Sequence, residues 1–355
     1  MPFDSINIKN FRGINNLSIN NIKKVNLITG RNNCGKTSVL EAIFLLCGMS
    51  NPELPVTIHN FRDFLFLKDD DFSLLFHNLD FEIIPEIEGK LDNKQRQLKI
   101  SPIYPQQINI NRNEIKQAPN TLLDQLILNM SNSGIDKIDG LKLNIKIENE
   151  KKGDSEIRFK QGLVNLNTQY KEKISATYLN SKTIMIGLDK RFDFIVKNKN
   201  LDNIMPILKE IEPKLVDLRM GATGMIYADI GIDKLIPINI MGDGLRRILA
   251  ILSAILQKDS NILIIDEIEN GLHYTSLEVL WRAIFKLAND TNVQIFCTTH
   301  SYECVESFAK VNKDYFADND DIRLFRIDRK DDNHNAFCYD KETLSLGIEK
   351  GFEVR

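Results

Sequence analysis

Eight consecutive residues carry the plainest chemistry in the sequence: Gly30-Arg31-Asn32-Asn33-Cys34-Gly35-Lys36-Thr37. They fit G-x-x-x-x-G-K-[ST], a loop that holds phosphate. The glycines let the backbone curl so that its N–H groups point inward at phosphate oxygens, and the helix start adds partial positive charge. Lys36 is expected to reach the β- and γ-phosphates of a nucleotide, and the Thr37 hydroxyl to ligate Mg²⁺. The expected nucleotide-binding set on this loop is Gly30, Asn32, Asn33, Cys34, Gly35, Lys36, Thr37 and Ser38.

Three further marks follow in chain order. Met241-Gly242-Asp243-Gly244 is a glycine turn that opens a helix. Ile262-Leu263-Ile264-Ile265 is an apolar run ending in Asp266-Glu267. At the end of a buried strand, Asp266 can hold Mg²⁺ and Glu267 can take a proton from an attacking water as general base. Val293 to Thr298 is a second apolar run, ending at Thr299-His300-Ser301, where His300 can hydrogen-bond a γ-phosphate. The catalytic set is thus Glu267, His300 and Lys36, and the metal set is Thr37 and Asp266. Each mark alone has a structural reading, as an ordinary helix cap, a common Asp-Glu pair or a structural histidine. Their order and spacing make the set specific.

These groups meet only if particular elements place them. Val25 to Thr29 alternates like a short strand before the loop, and Val39, Leu40, Ile43, Phe44, Leu46 and Cys47 recur at helical spacing after it. Leu245, Ile248, Leu249, Leu252, Ile255 and Leu256 form the apolar face of a helix. The run at 262–265 reads as a buried parallel strand. Helices at Thr275 to Ala288, near Glu303 to Ala309 and near Glu342, with strands at Arg323 to Ile327 and near Phe337, complete an α/β texture. In an open α/β sheet ligands sit beyond the carboxyl ends of the strands, so the marks should share one rim. That requires the two ends of the chain to build one sheet.

The middle of the chain reads differently. Leu79 to Ile87, Gln97 to Ile103, Leu141 to Ile147 and Ser155 to Lys160 alternate apolar and polar residues, as antiparallel strands do. Helices are expected at Phe61 to Leu67, near Thr121 to Met130, and at Leu201 to Leu218; Asp69-Asp70-Asp71 reads as a solvated turn or cap. The expected organisation is a discontinuous α/β core (1–60 and 241–355), a β-rich arm (61–175) and a helical lobe (176–240) leading to the glycine turn. No heptad pattern is sustained, so no long coiled coil is expected.

Of 355 residues, 43% are hydrophobic, enough for a proper core, and the net charge of −3 argues against bulk electrostatic binding of nucleic acid. Five scattered cysteines without metal-ligand spacing read as a reduced, cytoplasmic chain. Met1-Pro2-Phe3-Asp4 shows no signal-peptide pattern, and the apolar stretch Ile248 to Leu256 is short for a bilayer span, so no membrane role is expected.

With the four marks assembled, the sequence resembles the ABC-type ATPase heads of the SMC, RecF and OLD proteins, most closely the stand-alone OLD-like ATPases of prokaryotic defence systems. Asn32 to Thr37 is similar to the group's P-loop, with Cys34 where Ser is frequent. Gly242-Asp243-Gly244-Leu245-Arg246-Arg247 is similar to its signature motif, with Gly242 where a Ser usually meets the γ-phosphate. Asp266-Glu267 matches the Walker B pair, Asn270-Gly271-Leu272-His273 the D-loop, and Thr299-His300-Ser301 the switch histidine. Phe11-Arg12-Gly13 resembles the group's start and implies Arg12 near the nucleotide. The Q-loop glutamine is not assigned; Gln106, Gln107 and Gln161 are the candidates.

The resemblance implies a P-loop NTPase fold, an ABC-ATPase-like mixed sheet carrying an antiparallel β-rich arm and a helical lobe. It implies ATP and Mg²⁺ as ligands and slow, regulatory ATP hydrolysis. It also implies a homodimer or higher oligomer, with each ATP between one P-loop and the other copy's Gly242, Asp243 and Gly244. A separate effector, a nuclease or toxin, would make this an anti-phage system. A RecF-like repair ATPase that binds DNA is the alternative, but Lys151-Lys152 and scattered lysines form no basic stripe. An ABC transporter subunit fits the N-terminal element and long middle poorly. For an OLD-type nuclease, the 55 residues after His300 are read as too few for a Toprim domain, and Asp318-Asn319-Asp320 as a surface turn.

Overall fold

The computed structural model describes residues 2–62, 69–104, 138–158, 163–166, 170–257 and 261–351. Strands β1 (Phe3–Phe11) and β2 (Ile14–Asn20) form a hairpin, and β3 (Val25–Thr29) runs into the P-loop. Strands β4 (Glu86–Leu91), β5 (Lys94–Ile103), β6 (Gly140–Ile147), β7 (Glu150–Arg158) and β8 (Leu163–Leu166) continue the hairpin's sheet. Its order is β2-β1-β4-β5-β6-β7-β8, antiparallel throughout. One sheet therefore spans the boundary expected near residue 60.

The second sheet carries the chemistry. It has six strands: β3, β9 (Ala176–Leu179), β13 (Ile262–Ile265), β14 (Gln294–Thr298), β15 (Ile322–Lys330) and β16 (Asn333–Tyr339), ordered β16-β15-β3-β14-β13-β9. All neighbours are parallel except β15 and β16. The two ends of the chain thus share one sheet. A small sheet of β10 (Asp217–Met220), β11 (Ile226–Asp229) and β12 (Ile236–Pro237) lies in the region expected to be a helical lobe, beside helices α3 (Leu188–Lys197) and α4 (Leu201–Ile211).

Helix α1 (Lys36–Cys47) is buried on nearly every side. A helix apolar all round belongs between layers, and α1 touches β1, β4 and β5 of one sheet and β9, β13 and β14 of the other. Alternation along the central strands divides the core. Ile28, Ile262, Ile264, Phe296 and Phe325 face α1 and the antiparallel sheet. Leu27, Leu263, Ile265, Ile295 and Leu324 face the other way, onto a helical layer. That layer includes α5 (Asp243–Leu256), α6 (Leu277–Asp290) and α7 (Tyr302–Tyr315). Helix α8 (Lys341–Glu349) ends the described chain, and α2 (Leu54–Asn60) follows α1.

Several local expectations shift. The strand expected from Leu79 begins only at Glu86, because Asn78 and Leu79 adopt left-handed backbone (φ 56° and 62°) that stops an extended run. The helix expected to reach Leu218 ends at Ile211: Glu212 precedes Pro213 and is extended (φ −126°, ψ 91°). Helix α2 starts at Leu54 with a proline in its first turn, where its missing N–H costs no helical hydrogen bond. Asp69-Asp70-Asp71 opens a 3₁₀ turn. The helix near Thr121 to Met130, residues 63–67 of the expected short helix, and Gln106, Gln107 and Gln161 lie outside the described residues. The longest helices among the described residues have 14 residues, about 21 Å. None is long and apolar enough to cross a membrane.

Candidate active site

The P-loop joins β3 to α1, and its two glycines are fixed by contact and by backbone. Gly30 has φ +139°, and a methyl group there would lie 2.3 Å from the Ile327 carbonyl oxygen and 2.8 Å from Cys34 Sγ. Gly35 caps α1 with φ +96°, where a side chain would press on Ile14 at 3.3 Å. Lys36 is folded over the loop: its Nζ donates to Gly30 O (2.7 Å) and Arg31 O (3.0 Å). Burial pulls this ammonium below its ordinary range, and Cys34, Asp266, Glu269 and Glu267 oppose the shift. A buried cation beside bent backbone is a receptor for a phosphate anion.

The neighbouring strands deliver the rest. Asp266 follows β13, and its Oδ1 accepts from Thr298 Oγ1 (2.5 Å) and Thr37 Oγ1 (3.3 Å). Thr298, at the end of β14, also accepts the Glu267 N–H at 2.8 Å. Glu267 has φ +52°, a left-handed backbone that costs a non-glycine residue about 1–3 kcal/mol. His300 stands one strand over, with Nε2 3.8 Å from Glu267 Oε1, and its main-chain N–H donates to Glu269 Oε1 at 2.8 Å. Lys36, Thr37, Asp266, Glu267 and His300 therefore converge on one rim.

A cavity of about 660 Å³ opens there. Asn32, Asn33, Gly35, Lys36, Thr37, Ser38, Glu267 and His300 line it, with Gly13, Arg62, Arg329 and His334. Three long cations against one carboxylate suit a polyanion. Arg62, Arg329 and His334 belong to no motif, and only folding brings them to the loop.

Arg12 is engaged by a buried carboxylate. It does not line the cavity. Its Nε lies 2.6 Å from Glu41 Oε2, and its Nη1 donates to Leu74 O at 3.4 Å. Glu41, on α1, is fully buried and also takes Arg62 Nε (2.6 Å) and Nη2 (3.0 Å). Arg62 Nη2 further donates to Ser38 Oγ at 3.3 Å, so of the two guanidiniums on Glu41 it is Arg62 that lines the cavity. Burial lowers the Arg12 guanidinium despite Glu41, whereas for Arg62 burial is opposed by Glu41 together with Tyr178 and Asp266, and the net shift is upward. One buried carboxylate thus holds two guanidiniums. Glu41→Ala should destabilise the fold by about 3–5 kcal/mol, seen as a lower urea midpoint; an unchanged midpoint would contradict the assignment of Glu41 as their shared anchor.

The Gly242–Gly244 turn stands apart from the cavity. Gly242 caps α5, with nothing within 4 Å of a side chain placed there. A methyl group on Gly244 would lie 3.8 Å from Leu272 Cδ2 and 3.9 Å from the Gly271 carbonyl oxygen, so this helix start lies beside the segment that resembles the D-loop.

The donors fit Mg²⁺. Thr37 Oγ1 and Asp266 Oδ1 are adjacent oxygens from two elements. No group of three or more His, Cys, Asp or Glu fit for a metal occurs among the described residues. A hydroxyl and a carboxylate suit a hard cation that keeps several waters and binds through substrate phosphates.

Residues 25–306 match the family described as "AAA domain, putative AbiEii toxin, Type IV TA system". The chain belongs to that family. A protein described as an ATP/GTP phosphatase from Helicobacter pylori is 26% identical over 324 residues, 86% of this chain and 87% of its own. Among solved structures, an SMC head bound to the C-winged helix domain of ScpA aligns at TM-score 0.54 and 13% identity, over 96% of this chain and 99% of that one. An SMC head with an extended coiled coil, bound to the C-terminal domain of ScpA from Pyrococcus furiosus, aligns at TM-score 0.52 and 12% identity, over 98% of each. The fold of this family member is thus that of the ABC-type heads of SMC proteins.

Proposed function

We propose that this P-loop ATPase completes its active site only when two copies meet. Each ATP, with Mg²⁺, lies between one copy's P-loop and the other's Gly242–Gly244 turn. Hydrolysis reopens the pair, and that cycle controls a separate effector in a cytoplasmic anti-phage system.

The carrying observation is a division of labour within one chain. Lys36, Thr37, Asp266, Glu267 and His300 share the cavity rim, while the Gly242–Gly244 helix start is absent from it and Gly242 faces open space. A helix start with free N–H groups attracts phosphate. On a second copy it would face the phosphate that the first copy's P-loop holds.

Lys36 exchanges the carbonyls of Gly30 and Arg31 for phosphate oxygens. Glu267 orients a water and takes its proton as the water oxygen attacks the γ-phosphorus. The bond from that phosphorus to the β–γ bridging oxygen breaks, giving ADP and phosphate. His300, beside Glu267, donates to a γ-phosphate oxygen. Mg²⁺, held by Thr37 and Asp266, would neutralise charge on the phosphates. The name of the Helicobacter pylori relative supports this reaction, and the toxin–antitoxin wording of the family description supports an effector.

Gly242→Glu is the discriminating variant. The side chain enters open space, so folding and ATP binding at the P-loop should be retained. Turnover should fall about 10²-fold or more, because a carboxylate then faces the partner's phosphates. Full turnover in this variant would rule out the composite site. The expected companion is an adjacent gene for a nuclease or toxin whose product responds to the nucleotide state. Tight, ATP-dependent DNA binding by the chain alone would favour repair instead.

A further inference from the structure

The signature helix carries a charge that its surroundings do not explain. Arg247, on α5, is buried, 7% exposed. Its Nε and Nη2 are buried and make no hydrogen bond. A guanidinium in that position costs several kcal/mol unless an anion answers it. Its stem alone could be replaced by methionine, so packing does not require the charge.

A candidate anion is carried by the adjoining loop. Arg247 runs beneath the loop that follows β13: a methyl on Gly271 would lie 3.7 Å from its Cδ and 3.9 Å from its Nη1. That loop carries Glu269, whose Oε2 is also buried without a partner. The other oxygen of Glu269 accepts the His300 main-chain N–H at 2.8 Å, and the His300 ring stands 3.8 Å from Glu267. A buried cation and a half-buried carboxylate, each with an unpartnered buried atom, thus stand on adjoining segments where the signature helix meets the hydrolytic loop, without an ion pair between them. Burial lowers the Arg247 guanidinium, and Glu267 and Glu269 oppose that shift.

We infer that Arg247 and Glu269 are a charge couple that ties the position of the signature helix to the hydrolytic pair. Arg247 is a positioning residue. When a second copy presses on the signature turn, the couple closes and holds Glu269 in place; Glu269 already carries the His300 main chain, so the spacing of His300 and Glu267 is fixed with it. The left-handed backbone at Glu267 makes that loop dependent on such support. This rests on the reading of Glu267 as the hydrolytic carboxylate and of the composite site.

The test uses the full chain with Mg²⁺-ATP and compares Arg247→Met, Arg247→Lys, Glu269→Gln and the double variant Arg247→Met with Glu269→Gln. Turnover, ATP affinity and thermal midpoint are measured for each. Misplacing a catalytic group by about 1 Å can cost roughly 10²-fold, so Arg247→Met should lower kcat by about 10- to 100-fold with ATP affinity within about twofold. Arg247→Lys should restore part of the loss. The double variant should be no slower than the slower single, because coupled residues are non-additive. A folded Arg247→Met with near-wild-type kcat overturns the inference, as do multiplying losses in the double variant or parallel losses of affinity and kcat. Should Arg247→Met not fold, Arg247→Lys and Glu269→Gln carry the same decision: wild-type kcat in both overturns it. Glu267→Gln separates the two claims, since active Glu267→Gln removes the hydrolytic reading whatever Arg247 does.

Discussion

Glu267→Gln should reduce ATP turnover by about 10²–10⁴-fold, the range supplied by a positioned general base. ATP binding should stay within a few fold of the unaltered chain. Glutamine keeps the shape and can still hydrogen-bond a water, but it cannot take the proton. The residues that hold substrate are elsewhere: Lys36 on the P-loop, and Thr37 with Asp266 at the metal position. The Glu267 main chain is anchored independently of its side chain, through its N–H to Thr298 Oγ1 at 2.8 Å. The left-handed φ of +52° is therefore kept in the variant, as glutamine tolerates it no worse than glutamate. Single-turnover measurements should show ATP bound and persistent. Unimpaired turnover would remove Glu267 from the chemistry and leave His300 without its carboxylate partner.

Lys36→Ala should lower ATP affinity and turnover together, turnover by about 10²–10³-fold, the scale of losing one preorganised charged donor at a phosphate. The effect goes beyond a missing charge. In the unaltered chain the Lys36 ammonium satisfies the carbonyls of Gly30 and Arg31 at 2.7 and 3.0 Å. Alanine leaves those carbonyls facing the incoming anion, so the loop both loses its cation and repels phosphate. Fluorescent-nucleotide titration distinguishes this from Glu267→Gln: affinity falls in one and holds in the other. Equal affinity in both variants would contradict the assignment of Lys36 as the phosphate receptor.

The residues legible in the sequence are those whose jobs are local. Gly30 and Gly35 announce a backbone that only glycine adopts, and Ile262 to Ile265 announces a strand buried on both faces, so Asp266 and Glu267 must stand at its end. The parallel sheet from both chain ends followed from the same runs, and the observed order puts β3 between β15 and β14. Arg62 was illegible, because its position depends on Glu41 being buried on α1 and on a turn after α2. The partner of Arg12 is illegible for the same reason: only the packed structure shows that Glu41 captures it. Arg329 and His334 reach the cavity through the β15–β16 hairpin, a long-range arrangement with no local pattern. The shared antiparallel sheet was split in expectation at residue 60, since strand pairing between β1 and β4 leaves no mark in either segment alone.

The central claim is that the ATP site is finished by a second copy, and the mass of Glu267→Gln in solution tests it most directly. By light scattering with chromatography, Glu267→Gln should run at the 40.8 kDa of one chain without nucleotide and at twice that with Mg²⁺-ATP. Adding Gly242→Glu to the same chain should return it to 40.8 kDa with ATP present. Glu267→Gln that binds ATP and still runs at 40.8 kDa would contradict the account.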